Sequence, residues 1–189
     1  VETMTELIEY YKGIFTILSS CASRQLEEVT FRRTMIPVQE LLDTAGKYFK
    51  KSMKNRSERI ELEIEPMEAK VIGDVNQLRF LLENLIDEAL TVREDGVIRL
   101  QARKDNEYIR FLFTDTRREK SVEELNQLFY PNLARMTSGE KGELRGTEYL
   151  VCKQIIRDHD EFAGRRGCRI NAEPAEGGGF TVYFTIPRR

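Results

Sequence analysis

Asp74-Val-Asn-Gln-Leu-Arg-Phe-Leu-Leu-Glu-Asn84-Leu-Ile-Asp-Glu88-Ala89 is the stretch from which the rest of the chain is read. Leu78, Leu81, Leu82, Leu85 and Ala89 recur in steps of three and four, the period of one helical face. Asp74 stands three residues before Gln77, a capping pair for a first helical turn. The spacing predicts a helix over 74–92 whose leucine stripe faces a core. Asn84 and Glu88, at i and i+4, share a face beside that stripe. That face suits either a pocket wall or a solvated polar surface.

On the C-terminal side, alternation over Val97 to Arg103 and Tyr108 to Thr114 predicts two strands joined as a hairpin by a polar Lys-Asp-Asn turn. Ser121 and Glu124 form a capping box for a short helix ending near Phe129, with Pro131 helping to stop it. From Asn132 to Arg145 there is no clear period, and a mobile loop is expected. A helix from Tyr149 to about His159 follows. Strands over Cys168 to Ala172 and Phe180 to Ile186, separated by the glycines 177–179, close the chain. On the N-terminal side, Ile60 to Glu65 alternates as a half-buried strand, and Val38 to about Lys54 has helical spacing. The sum is an α+β fold, a two-layer α/β sandwich with helices on one face of a mostly antiparallel sheet.

Leu7, Tyr11, Ile14, Leu18 and Cys21 form a heptad-like seam within 2–28, which predicts a helix packed on a partner helix. An ordinary amphipathic helix lying on its own domain is the open alternative, because fewer than three heptads is a weak signal. The pattern breaks near Thr30 to Pro37, so the chain divides into a helical region with linker over 1–33 and one domain over 34–189.

The 189 residues, 40% hydrophobic and 33% charged with a net charge of −2, fit a soluble globular protein and give no support to generic nucleic-acid or membrane adhesion. Cys21, Cys152 and Cys168 form no paired motif, so neither a zinc site nor a disulfide framework is expected, and a reducing cytoplasm fits. No apolar run approaches a membrane span, and Val1 onward does not read as a signal peptide. A start without Met in a helical pattern is expected of a piece of a longer protein, and any membrane anchor would lie outside it.

Four stretches in this order resemble the catalytic domain of sensor histidine kinases, the Bergerat-type ATPase fold shared with gyrase, the Hsp90 chaperones and the mismatch-repair ATPases. The resemblance covers about 34–187. Asp74 to Ala89 is similar to the family's asparagine box, with Asp74, Asn84 and Ala89 matching and Glu88 in place of the second asparagine. Asp115-Thr-Arg117-Arg118-Glu119 looks like the first glycine box, of which only Asp115 survives. Leu128-Phe-Tyr-Pro131 resembles the phenylalanine box. Gly146-Thr-Glu148 through Lys153, Ile155 and His159 resembles the second glycine box, with Glu148 at its second glycine.

The resemblance implies ATP and Mg²⁺ as ligands. Asn84 would hold the metal, Glu88 offers a further oxygen ligand at the cost of negative charge near a polyphosphate, and Asp115 would accept the adenine amino hydrogen. Gly146 is a further nucleotide-binding position that the resemblance implies. Arg117 or Arg118 either pairs with phosphates or sits in an exposed turn. The losses of glycine at Arg117, Glu119 and Glu148 put Cβ-bearing, charged side chains where backbone must approach base and phosphates, and weak or absent Mg-ATP binding is expected. His159, the only histidine, is expected to pack at a helix end. The resemblance places the phosphoacceptor on the dimerisation helices, where this chain has no histidine.

Three functions follow from the resemblance. One is the ATP-binding domain of a sensor histidine kinase, or a histidine-kinase-like protein, in a phosphorelay. Another is a binding module that holds nucleotide without phosphoryl transfer. The third is a pseudokinase scaffold that dimerises through the N-terminal helix and contacts a response regulator without ATP.

Overall fold

The computed structural model describes residues 4–6, 8, 31–131, 137–138 and 144–188. The seam Leu7, Tyr11, Ile14, Leu18 and Cys21 lies outside them, as does most of the expected loop 132–145. Two pieces of it are described, short strands that pair with each other, β6 (Thr137–Ser138) and β7 (Leu144–Arg145).

Five strands form the main sheet. In chain order they are β2 (Ile60–Ile64), β4 (Gly96–Asp105), β5 (Tyr108–Asp115), β8 (Ile170–Pro174) and β9 (Phe180–Pro187), and in space they run β2-β4-β5-β9-β8. All pairings are antiparallel except β2 with β4, which are parallel and therefore joined by a long crossover. That crossover contains β3 (Lys70–Gly73) and the central helix, α2 (Val75–Leu90). A second, two-stranded sheet pairs β1 (Thr34–Pro37) with β3.

The helical layer consists of α1 (Val38–Met53), α2 and α4 (Glu148–Phe162), with α2 packed between the other two. Leu78, Leu81, Leu82 and Leu85 are buried under this layer. Each contributes roughly 1.5–3 kcal/mol of apolar burial. They meet the inner face of the sheet, where Ile98, Leu100, Phe111, Val182 and Phe184 alternate inward, and the Phe111 and Phe184 rings stack at 4.9 Å. The remaining helix, α3 (Val122–Asn126), starts at a reciprocal capping box between Ser121 and Glu124.

At the start of α2 the expected reciprocity fails. Asp74 accepts from the Asn76 and Gln77 N–H groups, but the Gln77 side-chain oxygen has no partner. The Asp74 N–H that Gln77 would have taken donates instead to His159 Nε2 at 3.1 Å. A second carboxylate oxygen of Asp74 accepts from the Arg32 N–H at 2.9 Å. One residue thus ties the segment before β1, the central helix and α4 together.

Candidate functional site

The C-terminal half of α2 and the end of β5 frame an open cleft. Glu88 and Ala89 line it from α2, Asp115 from β5, Phe180 from β9, and Arg118 and Lys120 from the segment after β5. The Lys120 ammonium lies 5.5 Å from the centre of the Phe180 ring. Gly179 allows the start of β9 to run against the end of β5, because its φ of +82° suits no side chain and a Cβ there would overlap the Asp115 carbonyl.

Asp115 is buried at the floor of this cleft, and Arg117 takes three of the roughly four acceptor sites of its carboxylate. Arg117 Nε donates to Oδ1 and one terminal nitrogen donates to Oδ2, each at 2.9 Å, a bidentate pair. The Arg117 backbone N–H adds a third bond to Oδ1 at 3.0 Å. The remaining guanidinium N–H groups donate to the carbonyls of Ala89 at 2.5 Å, Val92 at 3.0 Å and Glu94 at 3.0 Å. Those carbonyls end α2 or follow it, where a cation is favoured, and the Ala89 carbonyl also accepts from the Val92 N–H at 3.3 Å. With its side chain 1% exposed, Arg117 reaches neither solvent nor the mouth of the cleft. Room for it comes from Gly96, whose φ is +149° and where a Cβ would overlap Arg117 Cγ.

Asn84 lies one turn earlier on α2, nearly buried, with its amide donating to the Phe80 carbonyl at 2.7 Å. Beyond it the surroundings are acidic. Burial holds the Asp87 carboxyl above its usual range and the Glu148 charge adds to that rise, while Asp87 accepts the Tyr48 hydroxyl at 2.7 Å. Glu148, in the first turn of α4, keeps one buried carboxylate oxygen without a partner. Burial, and then the charges of Glu148 and Glu88, push the Cys152 thiol up, so it is an inert core group rather than a nucleophile. Gly146 precedes α4 with a φ of +82°.

His159 is wholly buried at the far end of α4. Its Nε2 accepts from Asp74, so the proton sits on Nδ1 and bonds the Ile155 carbonyl at 2.8 Å. Burial lowers its pKa from 6.5 to about 4, against smaller raising effects from Ile155 and Asp74. A neutral, doubly bonded imidazole on the far side of the domain is a packing group.

A helical layer over this sheet order, with a buried aspartate at the end of the central β5 strand, is matched by a family model described as histidine kinase-, DNA gyrase B- and HSP90-like ATPase over residues 73–189. The chain belongs to this family. No curated protein matches the chain. Solved structures give the same fold. The nucleotide-free catalytic domain of histidine kinase ThkA has 21% identity and a TM-score of 0.63 over 83% of this chain and 97% of its own. The mycobacterial sensor histidine kinase MprB has 18% identity and a TM-score of 0.64 over 84% of this chain and 99% of its own. ThkA in complex with the response regulator protein TrrA has 19% identity and a TM-score of 0.64 over all of this chain, which spans 52% of that one.

Within the ATPase fold, Glu88 and Asp115 face one cleft, Asn84 stands one turn away on the same helix, and Gly146 lies at the start of α4. Arg117 lies behind Asp115, in neither of the two positions anticipated for it. Sequence reasoning missed Gly96 and Gly179, which shape the cleft, and the Lys120–Phe180 contact at its mouth. The glycines mark strand starts after Asp95 and after a glycine run, and only the tertiary approach of Arg117 and Asp115 gives them meaning. Among the described residues no cluster of histidine, cysteine and carboxylate side chains is arranged to hold a metal, and no helix is long and apolar enough to cross a membrane.

Proposed function

We propose that the domain is the ATP-binding domain of a two-component sensor histidine kinase, or of a histidine-kinase-like protein, and that its nucleotide site is degenerate. The observation that carries the reading is the Arg117–Asp115 pair. An adenine amino group needs a carboxylate acceptor at the pocket floor, and both Asp115 oxygens already accept from a fixed guanidinium. On the phosphate side, the partnerless Glu148 oxygen and the neighbouring Asp87 and Glu88 supply negative charge where a polyphosphate needs positive charge. The Arg117 bonds on Asp115 and this negative charge both weaken the fit to Mg-ATP. The resemblance assigns Mg²⁺ to Asn84 and Glu88 and the nucleotide to Asn84, Asp115, Gly146 and Arg117, of which Arg117 is bonded to Asp115 instead. Weak binding fits an impaired kinase, and absent binding fits a pseudokinase scaffold.

The N-terminal helix is assigned to a homodimer, and the likeness to ThkA, solved with its response regulator, supports a response regulator as the second partner. A cytoplasmic location fits both. Substituting Ile14 and Leu18 by glutamate is expected to turn a dimer into a monomer in sedimentation, since burying charge in an apolar seam is costly. Monomeric wild-type protein at high concentration would remove the dimer from the proposal. Titrating the protein with Mg-ATP tests the site itself: millimolar or undetectable affinity supports degeneracy, and micromolar affinity overturns it.

A further inference from the structure

We infer that Phe31, Arg32 and Arg33 form a releasable strap: the residues ahead of β1 dock on the ends of α2 and α4, and their undocking lengthens the tether between the N-terminal region and the domain. The inference goes beyond the reading of the cleft and stands whether or not nucleotide binds there.

Each of the three residues has its own seat. The Phe31 ring meets the buried His159 imidazole in a T-shaped contact with ring centres 4.8 Å apart, and it lies tilted against the Phe162 ring at 5.8 Å. The Arg32 N–H donates to the Asp74 carboxylate at 2.9 Å, at the start of α2. The Arg33 guanidinium lies against Gly164, the residue that follows the C-cap of α4. A cation is favoured at that end of a helix. Gly164 has a φ of +90°, and a Cβ there would come within 2.8 Å of the guanidinium carbon and both its terminal nitrogens. One bare Cα thus ends the helix and leaves Arg33 its place.

These seats are shallow beside those of the elements that follow. Arg32 and Arg33 are exposed, Phe31 is half-buried and Phe162 is 49% exposed. By contrast β1 is paired with β3 from Thr34 onward, and Ile36, Val38 and Val71 are fully buried around it. Aromatic edge contacts and one hydrogen bond hold less than that burial does, and a segment so held opens locally while the rest stays folded. Three residues released into an extended chain add about 10 Å of reach. Tyr149, which lines the cleft, stands at the other end of α4 from His159, so the strap opens away from the cleft.

Limited proteolysis of the whole chain with trypsin tests the strap in wild type, Phe31→Ala and Phe162→Ala. Trypsin cuts after Arg32 and Arg33, and at low protease the rate follows the population in which the chain around them is undocked. Cuts after Arg79 and Arg99, inside α2 and β4, report global unfolding in the same digest. Wild type is expected to be cut at 32 and 33 well before 79 and 99, leaving a 34–189 product that still melts cooperatively. Phe31→Ala is expected to speed the cuts at 32 and 33 about tenfold, and Phe162→Ala to speed them less. Equal rates at 32 and 33 in all three proteins would show that nothing is docked there and overturn the inference. Cuts at 32 and 33 that only accompany those at 79 and 99, or a Phe31→Ala chain that does not fold, would make the segment part of the cooperative core and overturn it as well.

Discussion

The two ends of α2 are held by the same device, a buried charged side chain bonded on every side, and they serve different ends. At the N-terminus Asp74 accepts from the N–H groups of Arg32, Asn76 and Gln77 and donates its own N–H to His159. These partners are backbone or a neutral ring, so nothing in the arrangement exchanges with a ligand. At the C-terminus Arg117 donates to Ala89, Val92 and Glu94 and to the Asp115 carboxylate. Here the partner is an opposite charge at the floor of a cleft, and the arginine is joined to it through a rotatable side chain. One end ties elements of the fold together and the other ties a residue that lines the cleft. The difference lies in whether the partner belongs to a secondary-structure terminus or to a pocket.

That contrast makes the C-terminal end the costlier to break with one substitution. Asp115→Ala leaves the Arg117 charge buried and unpaired, and a loss of about 3–5 kcal/mol in denaturant unfolding is expected. Removing both charges, with Asp115→Leu and Arg117→Met, is expected to recover most of that loss. A double variant as unstable as the single one would show that packing around the pair, rather than the unpaired charge, sets the cost.

The N-terminal end is expected to show itself through pH. His159 has a folded pKa of about 4 against an ordinary 6.5, so the unfolded chain binds the proton more readily between those values. Its contribution is undiminished above about pH 6.5, falls as pH drops through that window, and is constant below about pH 4. The full loss is about 3 kcal/mol, read as the difference between wild type and His159→Gln in melts from pH 7 to pH 4. A flat difference across the window would contradict the buried neutral imidazole. Smaller again is Asp74→Ala, which removes the helix cap and the tie to Arg32 and is expected to cost about 1–2 kcal/mol. It is expected to leave the cleft's ligand affinity unchanged, whereas Arg117→Gly changes it.

Much of the fold is legible in the sequence because the long periodic elements carry their own signals. The leucine stripe from Leu78 to Leu85 marks α2, and the alternation over Tyr108 to Thr114 marks β5, to within two residues of the observed ends. What escaped is short or tertiary. The strands β1 and β3 have four residues each and bury little apart from Ile36 and Val71, too few to set a period. The parallel pairing of β2 with β4 is fixed by the crossover through α2, not by the strands' own residues. In the site, Asp115 was legible as a position through its box. The fate of Arg117 was not, because a charged residue two places after a strand end looks like a turn, and only the fold brings the carbonyls of 89–94 and the bare Cα of Gly96 around it.

The account turns on whether the cleft accepts ATP in the protein as it stands, and an isothermal titration of Mg-ATP into the wild-type chain asks this most directly. The proposed degenerate site predicts no resolvable heat at micromolar nucleotide and at most millimolar affinity, unchanged by Asn84→Ala. A micromolar Kd, about −8 kcal/mol of binding, that disappears in Asp115→Ala would contradict it.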